Sequence, residues 1–327
     1  MSLITINAIP LARPMYLDEI FHQLKRIKPE NKQKISVNLY GSHTGCGRRD
    51  WDAIKADLDA NGINTTLYSP FYNEYMMRIK NSVETSGKYC VKLDEDVFVT
   101  TKTWDFLIEN INILDDNSNL FVAPLLSTGI PTVDMFIDTF FKDEDHIKQH
   151  LYSIFKNTHI DNIWGANYER LNSATIHAPN WNVESFYSLV ATNNHHFMGI
   201  HPIRVSLEAQ QYLNERVIER IPRLFENKEL SFNFDNNRPY YCNSFFAIRT
   251  DRYAEIINNR SLYVDDFDEV PVNKFRQIHN LKMVFINNAF AIHPAYNTIN
   301  VTGRVYYKEI ADLFFNAMKE YLKENQP

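Results

Sequence analysis

Asp94, Glu95 and Asp96 follow directly on Tyr89-Cys-Val-Lys-Leu93, a run with the length and the β-branched, aromatic character of a buried strand. Carboxylates at the end of such a strand are costly unless something neutralises them. A hard divalent cation does so, because carboxylate oxygens suit Mg2+ or Mn2+. Asp94 and Asp96 are two residues apart, so in extended chain both side chains approach one cation from the same side. A strand running into a solvated acidic turn is the plain alternative. A second acidic stretch, Asp265-Asp-Phe-Asp-Glu269, precedes a helix expected over Val272 to Asn280, whose positive end Asp268 and Glu269 would favour. His195, His196 and His201 invite a zinc reading, but no carboxylate or cysteine beside them has ligand spacing. Trp164 and Trp181 are candidate platforms for a ligand or, more simply, core residues.

The elements around the acids alternate. Strands are expected at Ile4 to Ala8, Ile35 to Tyr40, Ile63 to Tyr68, Tyr89 to Leu93 and Leu120 to Pro124. Between them, helical spacing marks Tyr16 to Ile27, Trp51 to Leu58, Asn73 to Thr85 and Thr103 to Asn112, with Thr103 as an N-cap. That rhythm predicts an α/β fold with a mostly parallel sheet flanked by helices. Ligand loops then lie at the strand C-termini: Pro10 to Arg13, Gly41 to Gly47, Ser69 to Tyr72 and Asp94 to Asp96. Arg78 and Lys80, on the helix before the acids, could face a diphosphate, but the plainer expectation is its solvated face. Residues 130–240 are irregular apart from a helix over Leu207 to Phe225. Order then returns with strand Ser244 to Ile248, helix Arg252 to Asn258, strand Met283 to Ile286 and strand Ala289 to His293. Tyr307 to Leu322 reads as an amphipathic helix that docks Ile310, Leu313, Phe314, Ala317 and Tyr321 on the chain's own core.

The strand ending in Asp94-Glu-Asp96 resembles the D-x-D strand of the GT-A glycosyltransferases of family 2 and its relatives. Ile4 to Arg13 is similar to the family's first strand and nucleotide-binding loop, Phe267 to Asn273 to its acidic acceptor-side motif, and Ala291-Ile-His293 to its late strand. The resemblance implies a GT-A-type, Rossmann-like sheet with an irregular acceptor-side elaboration. Residues 1–125 would be the nucleotide-sugar half, 126–303 the acceptor half of the same domain, and 304–327 a C-terminal helix. It implies Mn2+ or Mg2+ held by Asp94, Asp96 and His293, and a nucleoside-diphosphate sugar held by Pro10, Arg13, Asp94 and Glu95. Arg13 would add a charge-assisted contact to base or phosphate, or it is a plain surface arginine. Asp268 or Glu269 would be the general base that deprotonates an acceptor hydroxyl. The order here, Asp-Glu, reverses the family's E-D, which leaves open which acid is the base and weakens the lean towards inversion.

Composition narrows the classes. The chain has 327 residues, 44% of them hydrophobic and 13% aromatic, enough for one large domain or two modest ones, with rings to spare for a sugar cleft. A net charge of −6 without a basic block gives no support to nucleic-acid binding. Nine glycines and no glycine-rich phosphate motif mean that a nucleotide must be held another way, such as by a metal clamp. Cys46, Cys90 and Cys242 form no disulfide framework or zinc spacing. Without a signal-peptide pattern or a span of roughly 20 apolar residues, a cytoplasmic location is expected. The expected partners are a nucleotide sugar and a carbohydrate or other hydroxyl acceptor. The other readings are a nucleotidyltransferase, which would want a glycine- and lysine-rich first loop, and a non-catalytic carbohydrate-binding protein on the same fold.

Overall fold

The structure is a computed structural model that describes residues 2–8, 16–40, 51–68, 75–128, 132–157, 203, 206–235, 241, 244–262, 269–294, 297–300, 303–306 and 308–325. The chain divides into two compact units. One holds Met1–Leu125, Asn227–Asn237 and Cys242–Ala291; the other holds Leu126–Glu226, Arg238–Tyr241 and Ile292–Pro327.

The first unit is a sheet with helices on both faces. Its strands are β1 (Ile4–Ala8), β2 (Ile35–Tyr40), β3 (Asn64–Tyr68), β4 (Tyr89–Leu93), β5 (Phe98–Val99), β6 (Asn119–Leu126), β7 (Ser231–Asp235), β8 (Phe245–Arg249) and β9 (Lys282–Ile292). They lie in the order β3-β2-β1-β4-β8-β6-β9-β5, with β7 paired to β9. The block β3-β2-β1-β4 is parallel, and β8 joins it antiparallel to β4. Strands β1, β2 and β4 are buried along their whole length, as a parallel sheet covered on both sides requires. This is the helix-flanked α/β sheet that the strand–helix alternation predicts.

Its helices are α1 (Leu17–Lys25), α2 (Pro29–Lys32), α3 (Trp51–Ala60), α4 (Tyr75–Thr85) and α5 (Thr101–Glu109). α5 begins two residues earlier than expected, because Thr100 is its cap and accepts from the Thr103 N–H; Thr103 lies inside the helix. Trp104 of α5 meets Phe245 edge-on at 5.2 Å, and Thr101 hydrogen-bonds Gln23 of α1, so both helices lie over the face that carries Leu93. Gly87 enters β4 where only glycine fits: a Cβ there would stand 2.1 Å from the Ser2 carbonyl oxygen.

The second unit contains α6 (Thr132–Phe140), α7 (Asp145–Asn157), α8 (Leu207–Ile218) and α9 (Ile221–Leu224). The single helix expected over Leu207 to Phe225 is two, because Pro222 sits in the first turn of α9 and cannot continue α8. Arg220 grips Glu144 through Nε and Nη2, and Arg223 adds a further bond, which ties the start of α7 to α8 and α9. The Arg220 hydrogen bonds hold the Glu144 carboxyl below the usual glutamate range.

After α10 (Thr250–Asn258) comes α11 (Glu269–Ile278), which starts at Glu269, ahead of the expected Val272. β9 replaces two expected strands. Asn288 takes φ 60° in its middle and lets the chain bend without breaking. β10 (Asn297–Asn300) and β11 (Gly303–Tyr306) form an antiparallel hairpin, and α12 (Lys308–Glu324) closes the described chain. α12 buries Ile310, Ala311, Phe314, Phe315, Met318 and Leu322, whereas Leu313, expected on that face, is 58% exposed. No helix among the described residues is long and apolar enough to cross a membrane.

Candidate active site

The parallel block changes direction at β1. Its strands run outward as β1, β2, β3 on one side and pass to β4 on the other. Such a switch point leaves a crevice outside the strand C-termini, where open α/β sheets bind ligands. Ala8 at the end of β1 is in register with Leu93 at the end of β4. The C-terminal ends of β1 and β4, which precede Pro10 and Arg13 and Asp94, Glu95 and Asp96 in the sequence, therefore lie side by side. Pro10 and Arg13 themselves lie outside the described residues, as do Asp268, the loops 41–47 and 69–72, Trp164, Trp181, His195, His196 and His201.

Beyond β4 the chain turns sharply. The Asp94 N–H donates to the Ser244 carbonyl at 3.0 Å, which pins the turn to the start of β8. Glu95 and Asp96 are buried, and the Asp94 side chain is 26% exposed. Hidden carboxylates need compensation, and the protein supplies cations of its own. The Lys92 ammonium stands 3.2 Å from Asp94 Oδ1, its side chain 2% exposed. Arg78 of α4, expected in solvent, is buried; burial pushes its guanidinium below the usual arginine range, and the charge of Glu95 pulls it back.

Lys92 belongs to a polar row that crosses the sheet. Asn38, Asn7 and Lys92 are in register on β2, β1 and β4 and share one face. Asn38 Nδ2 donates to Asn7 Oδ1 and to Thr85 Oγ1 of α4, both at 2.9 Å. Asn7 Nδ2 reaches Ser86 Oγ and Cys90 Sγ, both at 3.1 Å. The Tyr40 hydroxyl donates to Asn81 Oδ1 of α4 at 2.9 Å. α4 is thus fixed by hydrogen bonds in addition to the burial of its Ile79 and Val83. Phe246, in register with Lys92, meets Tyr253 of α10, so α10 covers the same face.

Sequence reasoning missed Lys92, Asn7 and Asn38 as site residues and misplaced Arg78. A signal existed: polar residues recur at period two on three strands, as Thr5 and Asn7, Ser36 and Asn38, and Cys90, Lys92 and Asp94.

His293 lies in the second unit, at the end of β9, and is buried. The Thr128 hydroxyl donates to the His293 carbonyl at 2.7 Å, and the Ser127 hydroxyl donates to the same oxygen at 3.2 Å. Thr128 Oγ1 also stands 2.9 Å from the ring Nδ1, and the ring's tautomer decides which of the two donates. Glu269 opens α11.

Among the described residues no group of three or more His, Cys, Asp and Glu side chains is placed to hold a metal ion. The donor set still fits a hard cation: Asp94 and Asp96 offer carboxylate oxygens, and a diphosphate would supply further oxygen ligands.

No family model matches the chain, and no curated protein matches it. Three solved structures to which it is similar are a mannosyltransferase, a TarS fragment and a cytidylyltransferase. The mannosyltransferase is PcManGT from Pyrobaculum calidifontis, in complex with GDP-Man and Mn2+; identity is 14%, covering 40% of this chain and 37% of that one, with a TM-score of 0.31. The second is S. aureus TarS 1-349, at 13% identity over 68% of this chain and 82% of that one, TM-score 0.32. The third is from Leptospira borgpetersenii, at 15% identity over 37% of this chain and 52% of that one, TM-score 0.25. The chain therefore spans well under half the length of the mannosyltransferase. At such identities and TM-scores the likeness carries no argument about chemistry, which rests on the chain's own residues.

Proposed function

We propose that the chain is a metal-dependent glycosyltransferase that moves a hexosyl or pentosyl group from a nucleoside-diphosphate sugar to an acceptor hydroxyl, with inversion. The observation that carries this reading is the acid triplet Asp94, Glu95 and Asp96 at the C-terminal end of β4, beside β1 at the switch point of the sheet. Asp94 and Asp96 would hold the cation together with oxygens of the diphosphate; His293, the third ligand the resemblance implies, belongs to the second unit. The cation, when bound, neutralises charge on the departing nucleoside diphosphate. Pro10, Arg13 and Glu95 line the donor side, and Arg13 meets base or phosphate. Asp268 or Glu269 takes the acceptor proton as its oxygen attacks the anomeric carbon.

The first test is hydrolysis and transfer from a panel of nucleotide sugars with Mn2+, comparing wild type with Asp96→Asn. Turnover should fall by about a hundredfold or more in the variant while its thermal transition stays in place. Wild-type turnover in Asp96→Asn at saturating Mn2+ would remove the metal role. Asp268→Asn and Glu269→Gln should then separate, with a similar loss of kcat in only one of them and little change in donor affinity. Two near-normal variants would leave both acids as helix-capping residues.

A further inference from the structure

Lys92 is an expensive residue for its position. It lies in β4, near the middle of the sheet, between the buried Val91 and Leu93 and in register with Phe246. Burying an ammonium is costly, and an apolar side chain of similar size would serve the fold as well or better. What the lysine supplies is a positive charge 3.2 Å from Asp94 Oδ1. Arg78, buried on α4, adds a second charge that acts on Glu95. Among the described residues, the neighbourhood thus sets two cations against three carboxylates. A free divalent cation meets little net negative charge there, and an Asp94 oxygen already engaged. A cation that arrives chelated by a diphosphate is different. It brings anionic oxygens of its own, and the chelate as a whole is attracted by Lys92 and Arg78.

We propose that Lys92 is a positioning residue that fixes Asp94 and sets the order of loading: the divalent cation enters together with the nucleoside diphosphate and is held poorly without it. The inference rests on the metal-dependent reading above and deepens it.

Equilibrium dialysis of Mn2+ against the full chain tests it without any turnover. Wild type should retain Mn2+ about tenfold or more weakly alone than with the best of UDP, GDP, CDP and ADP. Lys92→Met should bind Mn2+ alone about tenfold more tightly than wild type, which narrows the gap, and Lys92→Arg should restore the gap. Tight binding of Mn2+ alone by wild type overturns the proposal, as does a Lys92→Met protein with an unchanged or weakened affinity. If Lys92→Met fails to fold, the wild-type comparison with and without nucleotide still decides. Retention of Mn2+ that no nucleotide promotes, in any of the proteins, removes the glycosyltransferase reading along with the inference. Tight nucleotide-free binding together with nucleotide-sugar turnover removes the inference alone.

Discussion

The two faces of the parallel block are equally buried and chemically opposite. On one lie Ile4, Ile6 and Ala8 of β1, Ile35, Val37 and Leu39 of β2, and Val91 and Leu93 of β4. On the other lie Thr5 and Asn7, Ser36 and Asn38, and Cys90 and Lys92. The first face gains stability simply by leaving water, at about 25 cal/mol per Å2 of apolar surface. The second exchanges hydrogen bonds with water for hydrogen bonds with α4, a much smaller net gain per group, and is penalised for any bond left unmade. Burial alone therefore says nothing about what a residue is for. The aliphatic face stabilises the sheet, and the polar face sets where α4, Arg78 and Asp94 stand.

Equilibrium unfolding of single variants can break this comparison. The largest expected effect is on the aliphatic face: Leu39→Ala should cost about 3 kcal/mol, because Leu39 is fully buried and its loss leaves a cavity. A cost below that of any polar-face change would sink the division of labour. Next comes Asn7→Ala, which strands donors and acceptors on Asn38, Ser86 and Cys90 and should cost about 2 kcal/mol. Replacing Asn7 and Asn38 together by valine should cost no more than Asn7→Ala alone, since both ends of the shared bond go at once; strict additivity in that double-mutant cycle would speak against a network. The smallest effect is expected at Lys92→Met, within about 1 kcal/mol of wild type, because Asp94 is exposed enough to take up water. A loss as large as that of Leu39→Ala would make Lys92 a structural residue first.

How much of this was legible follows from the same two faces. The runs at Ile4, Ile35 and Tyr89 announced their strands by their length and their β-branched and aromatic residues, although a polar residue stands at every second position of each. The acid triplet announced a site, because three carboxylates cannot be hidden cheaply. Arg78 was misread, since a charge on a helix is normally solvated, and nothing local says that the helix will bury it where the charge of Glu95 acts on it. Lys92 was passed over for a related reason: its neighbour Asn7 is set by strand register, which joins residues far apart in the chain. Helix starts lay two residues early at Thr101 and three residues early at Glu269, within the range over which helix ends are hard to place from sequence. The separation at Pro222 was readable, because proline cannot lie in a helix interior.

The hydrogen-bonded underside of α4 has a consequence for how the chain can change over time. A helix resting on aliphatic side chains can slip or rotate slightly and find nearly equivalent contacts. A helix whose Asn81 and Thr85, with Ser86 just beyond its end, each answer a particular group on the strands below works like a key in a lock, with one insertion depth. Greasing that lock by substitution would leave the sheet standing and free the helix to settle at other depths. The guanidinium of Arg78 would wander first, so that a lineage drifting towards a better-packed core would lose the alignment of its charges before it lost its fold.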